Sequence, residues 1–241
     1  MYQKHPEFQV PANKNTKIWR YLSFTKLFSL VATKTLFFSR AVTLADTFEG
    51  SYSKSSFESW PVSNIPEEKQ KEYALIHKHS RELTYINSWH MSEYESEAMW
   101  KLFSKNEEEG IALQSTLKRL YECFTNYPED VYIGQVDYID YQSHHIPGDK
   151  LFRPFLHKRK SFEHEKEVRA IISKFSKEGK KQKRVYDSGV YVPIALDVLI
   201  EKVYISPISS KWFHDLVHSV LDKYKTPKKV VQSNLNEGPI Y

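Results

Sequence analysis

The sequence contains little glycine and cysteine, and each shortage excludes a class of protein. Only seven glycines occur in 241 residues, and no Walker or dinucleotide-binding fingerprint is present, so glycine-rich phosphate loops are not expected. Cys123 is the only cysteine, which excludes an internal disulfide and is typical of a reducing cytoplasm.

Long hydrophobic runs are also lacking. The most apolar early stretch, residues 27–38, is interrupted by Lys34 and is shorter than the roughly 20 residues that a membrane span requires. The first ten residues have no apolar segment of the kind found in a secretory signal. We therefore expect a cytoplasmic protein that does not enter a membrane.

A recognisable spacing of metal-ligating residues is missing as well. His214 and His218 lie four residues apart, and His144 and His145 are adjacent, but a zinc site needs a third and a fourth ligand, and none follows at a typical spacing. No nucleophile elbow is found either. No metal is expected.

Positive charge is concentrated in one segment. Residues 150–184 contain 13 Lys or Arg against 4 Glu, a net charge of +9, which leaves −4 for the rest of a chain of net charge +5. Such a strip can bind nucleic acid or another polyanion. It can equally be a solvated loop, above all at 176–184.

Strand and helix patterns alternate irregularly after an irregular N-terminal arm, residues 1–16. Strands are predicted at 18–22, 35–39, 84–89, 110–115, 131–141, 165–173, 189–194, 202–206 and 229–233, and helices at 24–33, 67–82, 93–105 and 209–224. This order predicts one α+β domain, residues 17–241, with a mixed, largely antiparallel sheet flanked by helices. We expect the sheet to be split around a cleft where three polar clusters meet.

The first polar cluster follows the first two predicted strands. Its members are Arg20, Tyr21, Ser39, Arg40, Asp46 and Glu49. An arginine among strand aromatics can hold a phosphate or carboxylate through two hydrogen bonds at once. Alternatively, Arg20 forms a structural salt bridge with Asp46 or Glu49.

The second cluster, residues 88–100, is a strand end that leads into a helix. Ser92 and Glu95 have the spacing of a capping box, and the helix start that they predict is a natural anion site beside Trp89 and His90. The alternative is that Trp89 and Trp100 belong to the core.

The third cluster is a run of acids. If residues 165–173 form a strand that extends back to Glu163, then Glu163, Glu165, Glu167 and Arg169 line one face of it. Three carboxylates on one face repel each other unless water, cations or arginines compensate them. They therefore belong either to an exposed edge or to a cleft.

These clusters, in this order, resemble the bacterial family catalogued as domain of unknown function 2971. The resemblance rests on residues 17–51 (KIWRYLS to DTFEGS), 86–116 (INSWHMSEY to IALQST) and 161–171 (SFEHEKEVRAI), and covers about residues 17–240. The segment Ala45–Glu49 departs from the family's N-D-P-F-E type loop, because it lacks the Asn and the Pro. A tyrosine that often follows Trp100 is also missing. The family name implies no activity.

A second resemblance, to ADP-ribosyltransferase-like folds, implies a function. By position, Arg20, Ser39 and Glu167 would be the catalytic residues, with Glu165 as the rival of Glu167. The side chains that would then bind NAD are Tyr21, Arg40, Asp46, Glu49, Trp89, His90 and Arg169. This resemblance implies an NAD-dependent ADP-ribosyltransferase or NAD glycohydrolase.

The same resemblance implies a setting and a partner. The enzyme would be a toxin or phage-defence effector, with a cognate antitoxin or defence partner and a nucleic-acid acceptor on residues 150–184. Two alternatives stay open: a metal-dependent nuclease that uses Asp46, Glu49 and the acids between Glu163 and Lys166, and a non-catalytic module that binds a ligand or nucleic acid.

Overall fold

The protein consists of a large, mostly antiparallel sheet with helices around it. Its structure is a computed structural model, which describes residues 1–59, 66–104, 108–147, 151–174 and 188–240. The strands are β1 (Tyr2–Gln3), β2 (Lys17–Ser23), β3 (Thr35–Arg40), β4 (Thr84–Met91), β5 (Gly110–Thr116), β6 (Val131–Gln135), β7 (Asp137–Ile139), β8 (His157–Arg159), β9 (Glu167–Ser173), β10 (Gly189–Pro193), β11 (Lys202–Ile205) and β12 (Lys229–Gln232). The helices are α1 (Phe24–Thr33), α2 (Lys54–Ser59), α3 (Glu67–Glu82), α4 (Glu97–Ser104), α5 (Leu117–Glu122), α6 (Leu196–Leu199) and α7 (Lys211–Lys223), with 3-10 turns at Ala41–Thr43, Arg153–Leu156 and Lys160–Glu165. The α+β class predicted from the sequence is confirmed.

The main sheet has the strand order β1-β6-β9-β4-β2-β5-β11-β12, and β3 joins β10 to β4. Its parallel pairs are β1 with β6 and β11 with β12, while β7 and β8 form a separate parallel pair. Among the described helices, none is long and apolar enough to cross a membrane.

Strand β4 is the point where the sheet divides. Along one edge it pairs with β9 over its length. Along the other edge it pairs with β3 only at Tyr85 and Ile86, and with β2 only at His90 and Met91. Between these two short pairings, the side chain of Asn87 on β4 donates to the carbonyl of Phe37 on β3, 2.8 Å away.

The two faces of the sheet differ in polarity, because alternate residues of a strand point to opposite sides. One face carries the main core, which includes Ile18, Leu36, Phe38, Trp89, Val168 and Ile172. On the other face the register sets His90 opposite Glu167 and Ser88 opposite Arg169. Polar groups of β4 and β9 are thereby collected on one side.

Several predicted elements need correction. The strand expected at 131–141 is two strands, because the chain changes partner after Gln135: β6 pairs with β9, whereas β7 pairs with β8 in a separate sheet. The capping box is wrong: the Ser92 hydroxyl accepts from Tyr94 N–H, and the helix starts only at Glu97. The arm at residues 1–16 is not wholly irregular, since Tyr2–Gln3 pair with β6.

Helix α7 buries Phe213, Val217 and Leu221, whereas Trp212 is 65% exposed. The strand expected to begin at Glu165 begins at Glu167, and Glu163 and Glu165 lie in the preceding 3-10 turn. Lys166 is left-handed, with φ of 41°, and this bend removes Glu163 from the strand face. Glu163 is exposed.

Candidate functional site

A cavity of about 310 Å³ lies on the polar side of β2, β4 and β9, beside the loop after β3. It is lined by most of the side chains that the sequence singled out, together with several others: Trp19, Arg20, Tyr21, Leu22, Lys26, Ser39, Leu44, Ala45, Asp46, Glu49, Ile86, Ser88, Trp89, His90, Met99, Phe103, Lys158, Phe162, Glu165, Glu167 and Arg169. We call it the glutamate cavity. The three polar clusters therefore meet in one place.

Arg169 is the cation at the base of the glutamate cavity. Its side chain is 1% exposed, and Nη1 and Nη2 donate to the two carboxylate oxygens of Glu49 at 2.7 and 2.8 Å. Nε donates to Glu167, and Nη1 also donates to the carbonyl of Phe155. Each charge is thus compensated, as burial requires.

Lys158 is the second buried cation. Its ammonium lies 2.5 Å from Glu165 Oε2, 3.1 Å from Glu167 Oε1 and 3.8 Å from Glu49 Oε1. Burial opposes its charge, but the carboxylates of Glu167 and Glu165 raise the pKa of Lys158 above its usual value. Three carboxylates therefore share two cations as ion-pair partners.

The pKa values of Glu165 and Glu167 are shifted in opposite directions. Burial, helped by the neighbouring Glu167, raises the pKa of Glu165 to about 7, although Lys158 opposes this. Burial also acts on Glu167, but Arg169, Glu165 and Lys158 together bring the pKa of Glu167 well below its usual range. Glu167 is therefore ionised at neutral pH, and Glu165 can gain or lose a proton there.

The backbone around the two acids is held by side chains of neighbouring strands. Tyr138 Oη accepts from the Glu167 N–H at 2.7 Å, and His90 Nδ1 lies 2.7 Å from the Glu165 carbonyl. Burial lowers the pKa of His90, so its ring is neutral at pH 7 and Nδ1 is the donor. The Ser88 hydroxyl completes the set with a 3.3 Å bond to Glu167 Oε2.

Arg20 stands where β2 and β4 separate. Its Nη1 donates to the carbonyl of Ser88 at 2.7 Å, and its guanidinium carbon lies 6.0 Å from the centre of the Trp89 ring. Burial lowers the pKa of Arg20 to about 10, an effect that Glu167 partly offsets, so it stays charged at neutral pH. The alternative salt bridge to Asp46 or Glu49 is not what the structure has. Asp46 pairs with Arg159 at 2.8 Å, and Glu49 pairs with Arg169.

The remaining predicted residues divide between cavity and scaffold. Ser39 lines the cavity, whereas Arg40 does not, because neighbouring strand residues face opposite sides. The Arg40 Nε donates to the carbonyl of Glu82 instead. Tyr21 Oη accepts from Ser96 N–H at 2.7 Å. Trp89 is 1% exposed and belongs to the core as well as to the cavity wall.

The basic strip predicted at residues 150–184 is only partly available at the surface. Lys158 and Arg169 are buried and cannot contact a nucleic acid, and residues 175–187 lie outside the described residues. Arg159 remains at the surface, with a 40% exposed side chain whose guanidinium lies 4.7 Å from the Phe48 ring and 5.2 Å from the Phe162 ring.

A second cavity, of about 340 Å³, adjoins the first. Its lining residues are Arg20, Leu22, Thr25, Lys26, Ser29, Leu30, Thr35, Leu36, Phe37, Ser39 and Tyr191. Four residues line both: Arg20, Leu22, Lys26 and Ser39. We call the two cavities together the groove; Arg20 and Lys26 supply a guanidinium and an ammonium group to the wall that they share. The sequence did not indicate the second cavity, because its aromatic residues come from β3 and the distant β10.

Sequence reasoning also missed Lys158. It lies in a segment rich in Lys and Arg, and nothing in its neighbours along the chain separates it from an exposed lysine. Among the described residues, no group of three or more His, Cys, Asp or Glu side chains is arranged to hold a metal ion.

Comparison with known proteins gives only distant likenesses. No family model matches the chain, so the predicted membership of domain of unknown function 2971 is not confirmed, and no curated protein matches it. Structures of DarT from Thermus sp. 2.9 align with it, in complex with NAD⁺ (TM-score 0.43, 11% identity, 92% of this chain and 96% of that one) and with ADP-ribosylated single-stranded DNA (0.42, 11%, 92% and 95%). The complex with carba-NAD⁺ has a TM-score of 0.42 at 10% identity, over 91% and 96% of the two chains. Likeness at this level does not assign an activity.

Proposed function

We propose that this protein is an ADP-ribosyltransferase-like enzyme that cleaves the nicotinamide–ribose bond of NAD and transfers ADP-ribose to an acceptor. The observation that carries the proposal is the pair of adjacent glutamates, Glu165 and Glu167, in the cavity that also contains Arg20 and Ser39.

Glu167 is suited to stabilise the positive charge that develops when nicotinamide leaves. Cleavage of a glycosidic bond passes through an oxocarbenium-like state, and a fixed carboxylate beside the sugar lowers the energy of that state. Arg169 and Lys158 hold Glu167 in place and ionised. Because it is fixed before substrate arrives, little reorganisation is needed during the reaction.

Glu165 is suited to accept a proton. As the acceptor's oxygen or nitrogen bonds to C1′ of the ribose, the C1′–N bond breaks and its electron pair leaves with neutral nicotinamide. The acceptor's proton then moves to the Glu165 carboxylate. The pKa of about 7 for Glu165 is close to the value at which a general base works best near neutral pH.

The groove formed by the two cavities fits a dinucleotide better than a smaller ligand. A drug-sized ligand already needs roughly 300–1,000 Å³, and each cavity alone is at the lower end of that range. Arg20 and Lys26 in the shared wall can hold a pyrophosphate. Phe37 and Tyr191, whose ring centres are 5.0 Å apart, can pack against a base in the second cavity.

A polyanionic acceptor such as nucleic acid would approach from the side of Arg159. Its half-buried guanidinium, the flanking rings of Phe48 and Phe162, and the exposed Lys160 offer charge and aromatic faces together, a combination that binds single strands. Water could replace such an acceptor, and the activity would then be NAD hydrolysis.

The alternative of a metal-dependent nuclease is less well supported. A metal ion would need the oxygens of Glu49, Glu165 and Glu167, but Arg169 and Lys158 already occupy them at 2.5–3.8 Å. Binding a metal would mean displacing two buried ammonium or guanidinium groups.

The proposal is tested by incubating the pure protein and cell extract with NAD labelled in the adenosine half. We expect label on an acceptor, or free labelled ADP-ribose, together with released nicotinamide. Glu167→Gln should lower the rate by about 100-fold or more, the size of effect seen when one transition-state contact is removed. Glu163→Gln is the matched control, because Glu163 is exposed in the same segment and should change nothing.

An absence of both transfer and nicotinamide release, with the protein folded, would overturn the proposal. Equal rates for the Glu167 and Glu163 variants would also overturn the assignment of Glu167.

A further inference from the structure

The ion pairs of the glutamate cavity are not equally shared between its two cations. Arg169 donates to both oxygens of Glu49 and to Glu167. For Glu165, the cation at hydrogen-bonding distance among the described residues is Lys158. Arg20, the third cation that lines the cavity, donates to the carbonyl of Ser88 and not to an acid. With every group charged, the three acids therefore share two ion-pair partners, Arg169 and Lys158, and one negative charge is in excess of those partners.

An excess charge in a buried cluster is relieved by holding a proton on one acid. Glu167 is held by Arg169 and Lys158 together, whereas Glu165 depends on Lys158 and is nearer to solvent, with a 13% exposed side chain. Glu165 is therefore the acid that takes the proton. How tightly it does so depends on Lys158.

We propose that Lys158 is a positioning residue whose ammonium allows Glu165 to give up and regain a proton. This inference rests on the proposed function for its catalytic meaning. Without the Lys158 ammonium the excess would be two negative charges, and Glu165 would keep its proton in neutral solution. It could then no longer accept a proton from the acceptor.

Other charged and titratable groups surround the glutamate pair, and all are retained when Lys158 is changed. They are Arg20 from β2, His90 from β4, Tyr138 from β7, Arg169 from β9, Glu49 from the loop after β3, and His164 and Lys166 from the segment around Glu165. Phe162 covers Lys158, its ring centre 4.7 Å from the ammonium, which limits access of water. A compensating ion from solvent is therefore hindered.

The test compares Lys158→Met, which removes the charge, with Lys158→Arg, which keeps it. The Glu165 carboxyl is titrated by carbon-13 NMR on protein labelled at the glutamate side-chain carboxyls, with Glu165→Gln to assign its signal. Removing an opposite charge at this distance shifts a carboxyl pKa by about 1–3 units. We expect the Glu165 midpoint of Lys158→Met to rise by at least about one unit, and Lys158→Arg to titrate like the wild type.

NAD turnover is measured over the same pH range. The activity of Lys158→Met at pH 7 should fall about 5-fold or more, because a rise of one unit from a pKa of about 7 lowers the ionised fraction of Glu165 from about one half to about one eleventh, and it should recover as the pH is raised. A purely structural role would lower activity equally at all pH values. Should Lys158→Met not fold, Lys158→Gln takes its place, since it can still donate hydrogen bonds.

An unchanged Glu165 midpoint in the neutral variant would overturn the role of Lys158, and so would a loss of turnover that does not depend on pH. The two proposals fail separately. If the wild type shows no NAD chemistry, the proposed function fails, and the NMR titration alone decides whether Lys158 controls the proton on Glu165.

Discussion

Replacing Arg169 with methionine removes a buried guanidinium and leaves Lys158, 3.1 Å from Glu167 and 3.8 Å from Glu49, as the remaining ion-pair partner of both acids. Glu49 loses both of its hydrogen bonds to the guanidinium, at 2.7 and 2.8 Å, and Glu167 and the carbonyl of Phe155 lose one each. Glu49 is 3% exposed, so water cannot replace the lost donors. Removing one partner of a buried ion pair costs about 3–5 kcal/mol.

For a chain of 241 residues, a change of 1 kcal/mol shifts the unfolding midpoint by about 2–4 °C. The Arg169→Met variant should therefore unfold roughly 6–20 °C below the wild type, as measured by circular dichroism on heating. The control is Lys174→Met. Its ion pair with Glu129 at 2.9 Å is partly exposed, with 27% and 43% of the two side chains accessible, and should contribute no more than about 1 kcal/mol.

A double variant separates the loss of a contact from the burial of an unpaired charge. Glu49→Gln combined with Arg169→Met leaves no unpaired carboxylate at Glu49, so it should be less destabilised than the sum of the single variants. If Arg169→Met unfolds within about 1 kcal/mol of the wild type, the carboxylates are not held by Arg169, and the electrostatic account of the cavity is wrong.

Three further changes have defined outcomes. Because the pKa of Glu165 is raised to about 7, the folded state binds an extra proton above the ordinary carboxyl pKa, and the stability from that proton is lost as pH rises toward 7. Glu165→Gln should therefore gain stability relative to the wild type across that window in urea titrations, and a constant difference would contradict the shift. Gly50→Ala should lower the unfolding midpoint, because Gly50 has φ of +69° and an added Cβ would lie 2.3 Å from Phe155; an unchanged midpoint would show that the loop relaxes. Tyr21→Phe should cost about 1 kcal/mol, because Ser96 N–H loses its acceptor, and a stability equal to the wild type in urea would mean that water replaces it.

Local patterns predicted the elements whose signals are local. Apolar spacing and helix-forming residues predicted α1 and α3 with the bounds that the structure has, Phe24–Thr33 and Glu67–Glu82. Strand alternation predicted the opposite faces of Glu167 and Val168. Each of these depends on residues within a few positions of one another.

The errors arose where a distant residue decides the outcome. The helix predicted from Glu93 starts later, and Ser96 N–H at its beginning is bound by Tyr21 from another strand. Lys158 is buried because three acids from two separate segments meet it. Neither contact leaves a signal in the neighbouring sequence, so no periodicity could have indicated it.

The candidate site was therefore predictable as a set of residues but not as an arrangement. Ten of the eleven named side chains line one cavity, and Arg40 does not. The pairing of Glu49 with Arg169, rather than with Arg20, follows from the fold of the loop after β3. Charge balance required such a partner, but the sequence could not say which cation it would be.

The most direct test of the account is a crystal structure of the protein with an NAD analogue whose nicotinamide–ribose bond cannot be cleaved. We expect the ribose next to nicotinamide to donate a hydroxyl hydrogen bond to Glu167, with the pyrophosphate between Arg20 and Lys26. An analogue bound elsewhere, or one that leaves Glu167 without a contact to the sugar, would contradict it.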